Sequence, residues 1–199
     1  HMPNHPKLIE KIEEYLKTHL TKHRCEHVLS VRDQSVKLAK LHNINSDKAE
    51  LAALLHDSLK EIPNNKLLQY SKEHGLLIDT YEEKNISLLH GKLAPFFAKN
   101  QFGIDDEIVN NAMRNHTTGA AVMGPVDKVL FVSDFCEPLR LYNEADSVRA
   151  LAENDLEEAA FEVIKHKIRK NISNNRIIHP DSFNAYNAMS QNRNKLNTQ

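Results

Sequence analysis

The stretch Leu51-Ala52-Ala53-Leu54-Leu55-His56-Asp57-Ser58-Leu59-Lys60-Glu61 constrains this chain most. Five consecutive apolar residues belong to a buried helix segment. His56 and Asp57 then bring an imidazole and a carboxylate to the edge of a core. Ionisable groups in that position are destabilising unless they are paired or bind a metal. Successive helical residues diverge by roughly 100° around the axis. His56 and Asp57 can therefore share one ion only if other parts of the chain supply further ligands.

Helical spacing recurs along the chain. Leu8, Ile9, Ile12, Tyr15, Leu16 and Leu20 predict a first helix from Pro6 to His19. A second runs from Arg24 to His42, with His27, Val31, Ser35 and Leu38 on one face. Asn43 to Ser46 break the pattern, and Asp47 with Glu50 predicts a capping box for the helix that ends in His56-Asp57. Pro63 suits the first turn of a fourth helix, and Gly75 its end. The pattern from Asp79 to Phe102 is helical, with a break expected near His90-Gly91 and Pro95. Gly103 stops it, and Asp105 is expected to cap a helix reaching His116.

Residues 117–124 read as a turn-rich loop before an apolar helix that Pro125 opens and that reaches Asp134. Pro138 ends it by pushing Glu137 out of helical geometry. A charged amphipathic helix or pair follows from Asp146 to Ser173, and Pro180 opens a last helix. Strand-like alternation, linkers and repeats are absent. The reading is one all-α domain, a helical bundle over residues 1–199, with His1 ahead of Met2 taken as a cloning remnant.

A hydrophobic fraction of 40% with 27% charged residues is that of a soluble globular protein. The net charge of −1 gives no general pull toward nucleic acid or an anionic membrane. No apolar run approaches the ~20 residues of a membrane span. The N-terminus lacks a signal peptide's apolar core. Cys25 and Cys136 are too few for a disulfide framework and read as buried or half-buried thiols in a reducing cytoplasm.

Twelve histidines are more than a fold alone requires. His27 lies on an apolar helix face, His90 at a helix junction and His116 where a helix gives way to a loop. Asp134 follows Leu130, Phe131 and Val132. Taken singly, each is a hydrogen-bonded core histidine or a helix-end charge. Together with His56 and Asp57 they make six candidate ligands at apolar faces or helix ends. Their separations fit no short zinc motif, so spacing alone leaves metal binding and a structural role both open. His5, His19, His23, His42, His74 and His166 read as surface or helix-face residues, and Lys165, Lys167 and Arg169 around His166 as a solvated face.

The order H…HD…H…H…D resembles the HD-domain metal-dependent phosphohydrolases, and within them the YqeK-like symmetrical diadenosine tetraphosphate hydrolases. The resembling segments are Arg24-Cys25-Glu26-His27, His56-Asp57-Ser58-Leu59-Lys60, His90-Gly91, His116-Thr117-Thr118-Gly119, Ser133-Asp134-Phe135-Cys136-Glu137-Pro138 and Ile178-His179-Pro180. The resemblance implies that His27, His56, Asp57 and Asp134 hold one metal, and that His90 and His116 hold a second with Asp57 bridging. It implies Asp57 and Lys60 as catalytic residues, with Lys60 facing substrate phosphate. Arg24, Thr117, Thr118, Gly119 and Arg140 match positions near the nucleotide or its phosphates. Two positions depart from the family pattern. Ala120 stands where a basic residue is usual, and Leu139 where a glycine is.

What the resemblance implies is cleavage of diadenosine tetraphosphate to two ADP by metal-activated hydroxide, with a binuclear divalent centre of iron, or of manganese or another transition metal. The partner is a small-molecule nucleotide, with no nucleic acid or membrane, and the long amphipathic helix leaves room for a homodimer. Two alternatives are another nucleotide phosphate ester on the same site and a nucleotide-binding module with little turnover. A purely structural helical protein is a third. Glu137 reads equally as an orienting group for a ligand and as a helix end, and His179 as packing or pocket lining.

Overall fold

The computed structural model describes residues 4–197. Among them eleven α-helices and one 3-10 turn follow one another, without a strand. They are α1 (His5–His19), α2 (Lys22–Leu41), α3 (Ser46–Leu55), α4 (Asn64–Glu73) and α5 (Thr80–Lys84), then the turn Ile86–Leu88. After it come α6 (Leu89–Phe102), α7 (Glu107–Asn115), α8 (Pro125–Cys136), α9 (Asn143–Asn154), α10 (Leu156–Ser173) and α11 (Pro180–Asn197).

The apolar run that opens the sequence argument makes α3 the central helix. Leu51, Ala52, Ala53, Leu54 and Leu55 are all fully buried, because α3 lies against α2, α7 and α8. Helix α8 meets it with buried Val129, Leu130 and Val132. Truncating a side chain such as Leu54 in this core costs about 2–5 kcal/mol. Beside it, Leu59, Leu67, Leu89 and Leu93 form a smaller apolar cluster joining α4 to α6. The ends of α3 and α7, the start of α6 and the last turns of α8 meet where these two cores adjoin.

Several ends differ from the sequence reading. Asn45, not Asp47, caps α3, its side chain accepting from the Lys48 amide. The expected break near His90-Gly91 and Pro95 lies instead at Asn85 and the 3-10 turn, and α6 continues through Pro95. A proline removes one internal donor, and burial of Leu89, Leu93, Ala94 and Ala98 on the same helix outweighs it. Asp79 forms a capping box with Glu82 for the short α5. Asp106 rather than Asp105 caps α7, because its carboxylate reaches the Val109 amide. The charged stretch is a pair of helices, divided at Asp155, whose side chain caps α10.

His5 also departs from the surface reading. It is buried, with Nε2 2.7 Å from Glu50 Oε1. That contact ties α1 to α3.

Candidate metal centre

All six candidate ligands converge. α2 supplies His27, the end of α3 supplies His56 and Asp57, α6 supplies His90, the residue after α7 is His116, and α8 supplies Asp134. His27, His56, Asp57 and Asp134 offer one group of ligand atoms within 4.8 Å of one another, and Asp57, His90 and His116 a second. Asp57 belongs to both. Its Oδ1 lies 3.1 Å from His90 Nε2 and 3.4 Å from His116 Nε2. Its Oδ2 lies 3.5 Å from His56 Nε2 and 3.6 Å from His27 Nε2. Asp134 Oδ1 sits 3.0 Å from His27 Nε2 and 3.3 Å from His56 Nε2.

The far nitrogen of each ring is already committed. The Nδ1 of His56, His90 and His116 meets the carbonyl oxygen three residues earlier, on Ala53, Ser87 and Met113. A carbonyl only accepts, so each Nδ1 carries a proton, and each Nε2 faces inward, where it donates to a carboxylate when protonated and offers a lone pair to a metal when not. His27 Nδ1 faces the Glu137 carboxylate at 3.4 Å. Glu137 is buried, and its other oxygen accepts from the Leu139 amide. It therefore both ends α8 and orients the His27 ring. Three local turns and one carboxylate thus orient four imidazoles with Nε2, the atom that would bind metal, facing inward.

Electrostatics point the same way. Burial opposes the charge on Asp57, yet the His56 imidazole and hydrogen bonds from His116 and His90 hold it well below the usual carboxylate range. Asp134, also opposed by burial, is held low by His27 and His56. His56 is pushed up to about 9, as Asp57 and Asp134 overcome its burial. His116 is pushed down to about 4 by burial and by the neighbouring His56 and His90. His90 and His116 bring their Nε2 atoms to 3.0 Å. Two inward lone pairs at that distance are favourable only with a proton or cation beside them. The donor set fits a pair of divalent ions.

Two local devices make this convergence possible. Gly91 lets α6 approach α7. A Cβ there would stand 3.0 Å from the Met113 carbonyl and 3.1 Å from the His116 ring. Arg149 of α9 donates to the carbonyls of Cys136, Glu137 and Arg140. It fastens the end of α8 that carries Asp134 and Glu137. Sequence reading missed Arg149, since nothing in the spacing links α9 to those carbonyls.

Above the cluster opens a cavity of about 800 Å³. Arg24, Lys60, Thr117, Thr118 and Arg140 line it, as the resemblance implies for substrate contacts. Arg24 is held 3.0 Å from Asp57 Oδ2, and Arg140 reaches the Asp134 carbonyl at 3.4 Å. Gly119 does not line the cavity. It is buried at φ +73°, where an added Cβ would meet Ala185 of α11 at 3.0 Å. Its part in the structure is the turn itself, packed against α11. Thr118 spends its hydroxyl on the Gly119 carbonyl, and its own carbonyl accepts from Ser182.

Apart from His179, the remaining wall was given no role in the site from sequence. Lys84, His166, Lys167, Lys170, Arg176 and His179 all reach the cavity. His179 has both suggested roles. It lines the cavity and pairs with Asp79 at 2.7 Å, tying the loop before α11 to α5.

The chain resembles known proteins over most of its length. The HD domain pattern matches residues 24–151. The chain belongs to the HD-domain family. A symmetrical bis(5'-nucleosyl)-tetraphosphatase of Halalkalibacterium halodurans is 32% identical over 184 residues, covering 90% of this chain and 95% of the relative. One of Bacillus subtilis is 33% identical, covering 86% and 92%. The crystal structure of an HD superfamily hydrolase from Clostridium acetobutylicum matches with a TM-score of 0.89 at 33% identity, covering 92% of this chain and 97% of that one. Divalent-metal dependence follows from membership of the HD family and from the His/Asp cluster together. Among the described residues no helix is long and apolar enough to cross a membrane.

Proposed function

We propose that this HD-domain protein is a symmetrical dinucleoside tetraphosphatase that hydrolyses diadenosine tetraphosphate to two ADP. The observation that carries the reading is four inward-facing imidazoles and two carboxylates lying under a cavity lined with cations. The relatives bearing that activity cover nearly the whole chain. His27, His56, Asp57 and Asp134 would hold one ion, and His90 and His116, with Asp57, the other. Bound there, a divalent pair shields phosphoryl oxygens and activates water. Imidazole and carboxylate donors suit first-row transition metals, and the family resemblance favours iron.

The chain's own residues then have distinct tasks. Lys60 presents an exposed ammonium at the cavity edge, suited to charge developing on the departing phosphate. Arg24 and Arg140 hold phosphate oxygens while remaining tied to Asp57 and Asp134. Leu88, Phe135, Tyr142 and Ile177 give the cavity apolar faces on which a purine can lie. A nucleotide-binding module is less favoured, because no candidate ligand is missing. Another phosphate ester is less favoured because the full-length relatives share one named activity.

Anaerobic incubation of iron-reconstituted protein with diadenosine tetraphosphate, with products resolved by ion exchange, tests the reading. ADP alone is expected. ATP with AMP would overturn symmetrical cleavage, and no product from metal-loaded protein would overturn the activity.

A further inference from the structure

We propose that Lys167 of α10 binds the phosphate chain of the substrate beside the metal centre, an inference that rests on the polyphosphate reading above. Sequence places Lys167 in a charged, solvated helix face, and the structure places it elsewhere. It is half-buried and lines the cavity. Its Nζ donates to the Thr117 carbonyl at 3.1 Å and stands 5.3 Å from the centre of the Phe131 ring. Thr117 follows His116, and Phe131 lies one helical turn before Asp134. The two contacts therefore fix the ammonium next to both candidate ion groups.

Among the described residues its charge has no ion-pair partner. Lys165, two residues earlier, pairs with Glu162 at 2.5 Å. Lys92 and Lys128 pair with Glu82 and Glu157. Among the described residues no carboxylate lies within ion-pair distance of Lys167. An ammonium has three donors, and one carbonyl takes only one of them. The other charges acting on it are Asp134, Arg140, Asp57 and Lys60, and burial lowers its pKa.

The two carboxylates are already committed to the imidazoles. A partly desolvated cation with donors to spare, aimed into a cavity it shares with Lys60 and Arg140, calls for an added anion. Two or more phosphates in a row match that field. A compact point charge suits a phosphate oxygen without demanding one geometry.

The test compares wild type with Lys167→Met and Lys167→Gln, all loaded with manganese. Calorimetry measures binding of inorganic tripolyphosphate and of ADP, alongside bound metal and the thermal midpoint. The glutamine can still donate to Thr117 but carries no charge, which separates the cation from the hydrogen bond. We expect both variants to bind tripolyphosphate and ADP at least ~10-fold more weakly, in line with a lost charged hydrogen bond. Bound metal and the midpoint stay at wild-type values. Wild-type affinity in both variants overturns the proposal. Loss of metal or a lowered midpoint in both also overturns it, by making Lys167 a support for the Thr117 turn. If wild type fails to cleave diadenosine tetraphosphate yet binds tripolyphosphate through Lys167, the proposed activity falls and this inference stands.

Discussion

The floor and the wall of the cavity are built in opposite ways. In the floor every ionisable group is tied at two points. Each imidazole has one nitrogen on a carbonyl or on Glu137 and the other on a carboxylate or a second imidazole. The wall is made of cations from α5, α10 and the loop before α11, and Lys84, Lys167, Lys170 and Arg176 have no carboxylate partner among the described residues. A floor tied down in advance can hold ions with little rearrangement. A wall with spare charge is suited to a mobile, highly charged ligand. Under the proposed function, rigidity and spare charge divide the work of metal binding and substrate capture.

The comparison breaks most sharply at Asp57, the one residue shared by both ion groups. Asp57→Ala is expected to abolish turnover and lower bound metal, read by steady-state assay and elemental analysis. Full activity in a folded variant would refute the shared-ligand arrangement. Glu137→Gln keeps the shape but removes the charge facing His27, and should weaken metal binding roughly 10-fold or more. Competition with a chelator measures it. Gly91→Ala drives a methyl toward His116 and should destabilise the protein by about 1–3 kcal/mol, seen by chemical denaturation. An unchanged midpoint would show that α6 and α7 can separate without loss.

A pH titration sharpens the contrast further. His56 is raised from 6.5 to about 9, so its contribution is complete below pH 6.5 and is lost as pH rises through about 9. His116 is lowered from 6.5 to about 4, so it weakens the fold as pH falls between those values. Asp57 and Asp134, held below 3.8, contribute above that pH and lose it only on further acidification. Metal-free protein should therefore be most stable near pH 6.5, the ordinary value from which both histidines depart. Manganese should flatten the alkaline decline, because a metal takes the place of the His56 proton. Thermal midpoints with and without the ion measure both arms. Smallest is Lys170→Ala on the exposed wall, with KM for the tetraphosphate rising about threefold and kcat unchanged, as an exposed charge is worth under ~1 kcal/mol. A changed kcat would place Lys170 at the reacting phosphate.

The sequence by itself determined the helices and picked out the six candidate residues of the floor, while their joint role came from the family resemblance. The apolar run of Leu51 to Leu55, the punctuation at Pro63, Gly103, Pro125 and Pro180, and the six ligands at helix ends or apolar faces are local signals. Helix formation and burial read such signals directly. Cap positions slipped by a residue or two, as at Asn45 and Asp106, because neighbouring Asn and Asp residues compete for the same amides. The tertiary structure alone decided which face of α10 meets the cavity, that Arg149 holds the end of α8, and that Gly119 packs against α11. These depend on the packing of helices distant in sequence. A lysine between charged neighbours has the same local pattern whether water or a phosphate site lies beyond it.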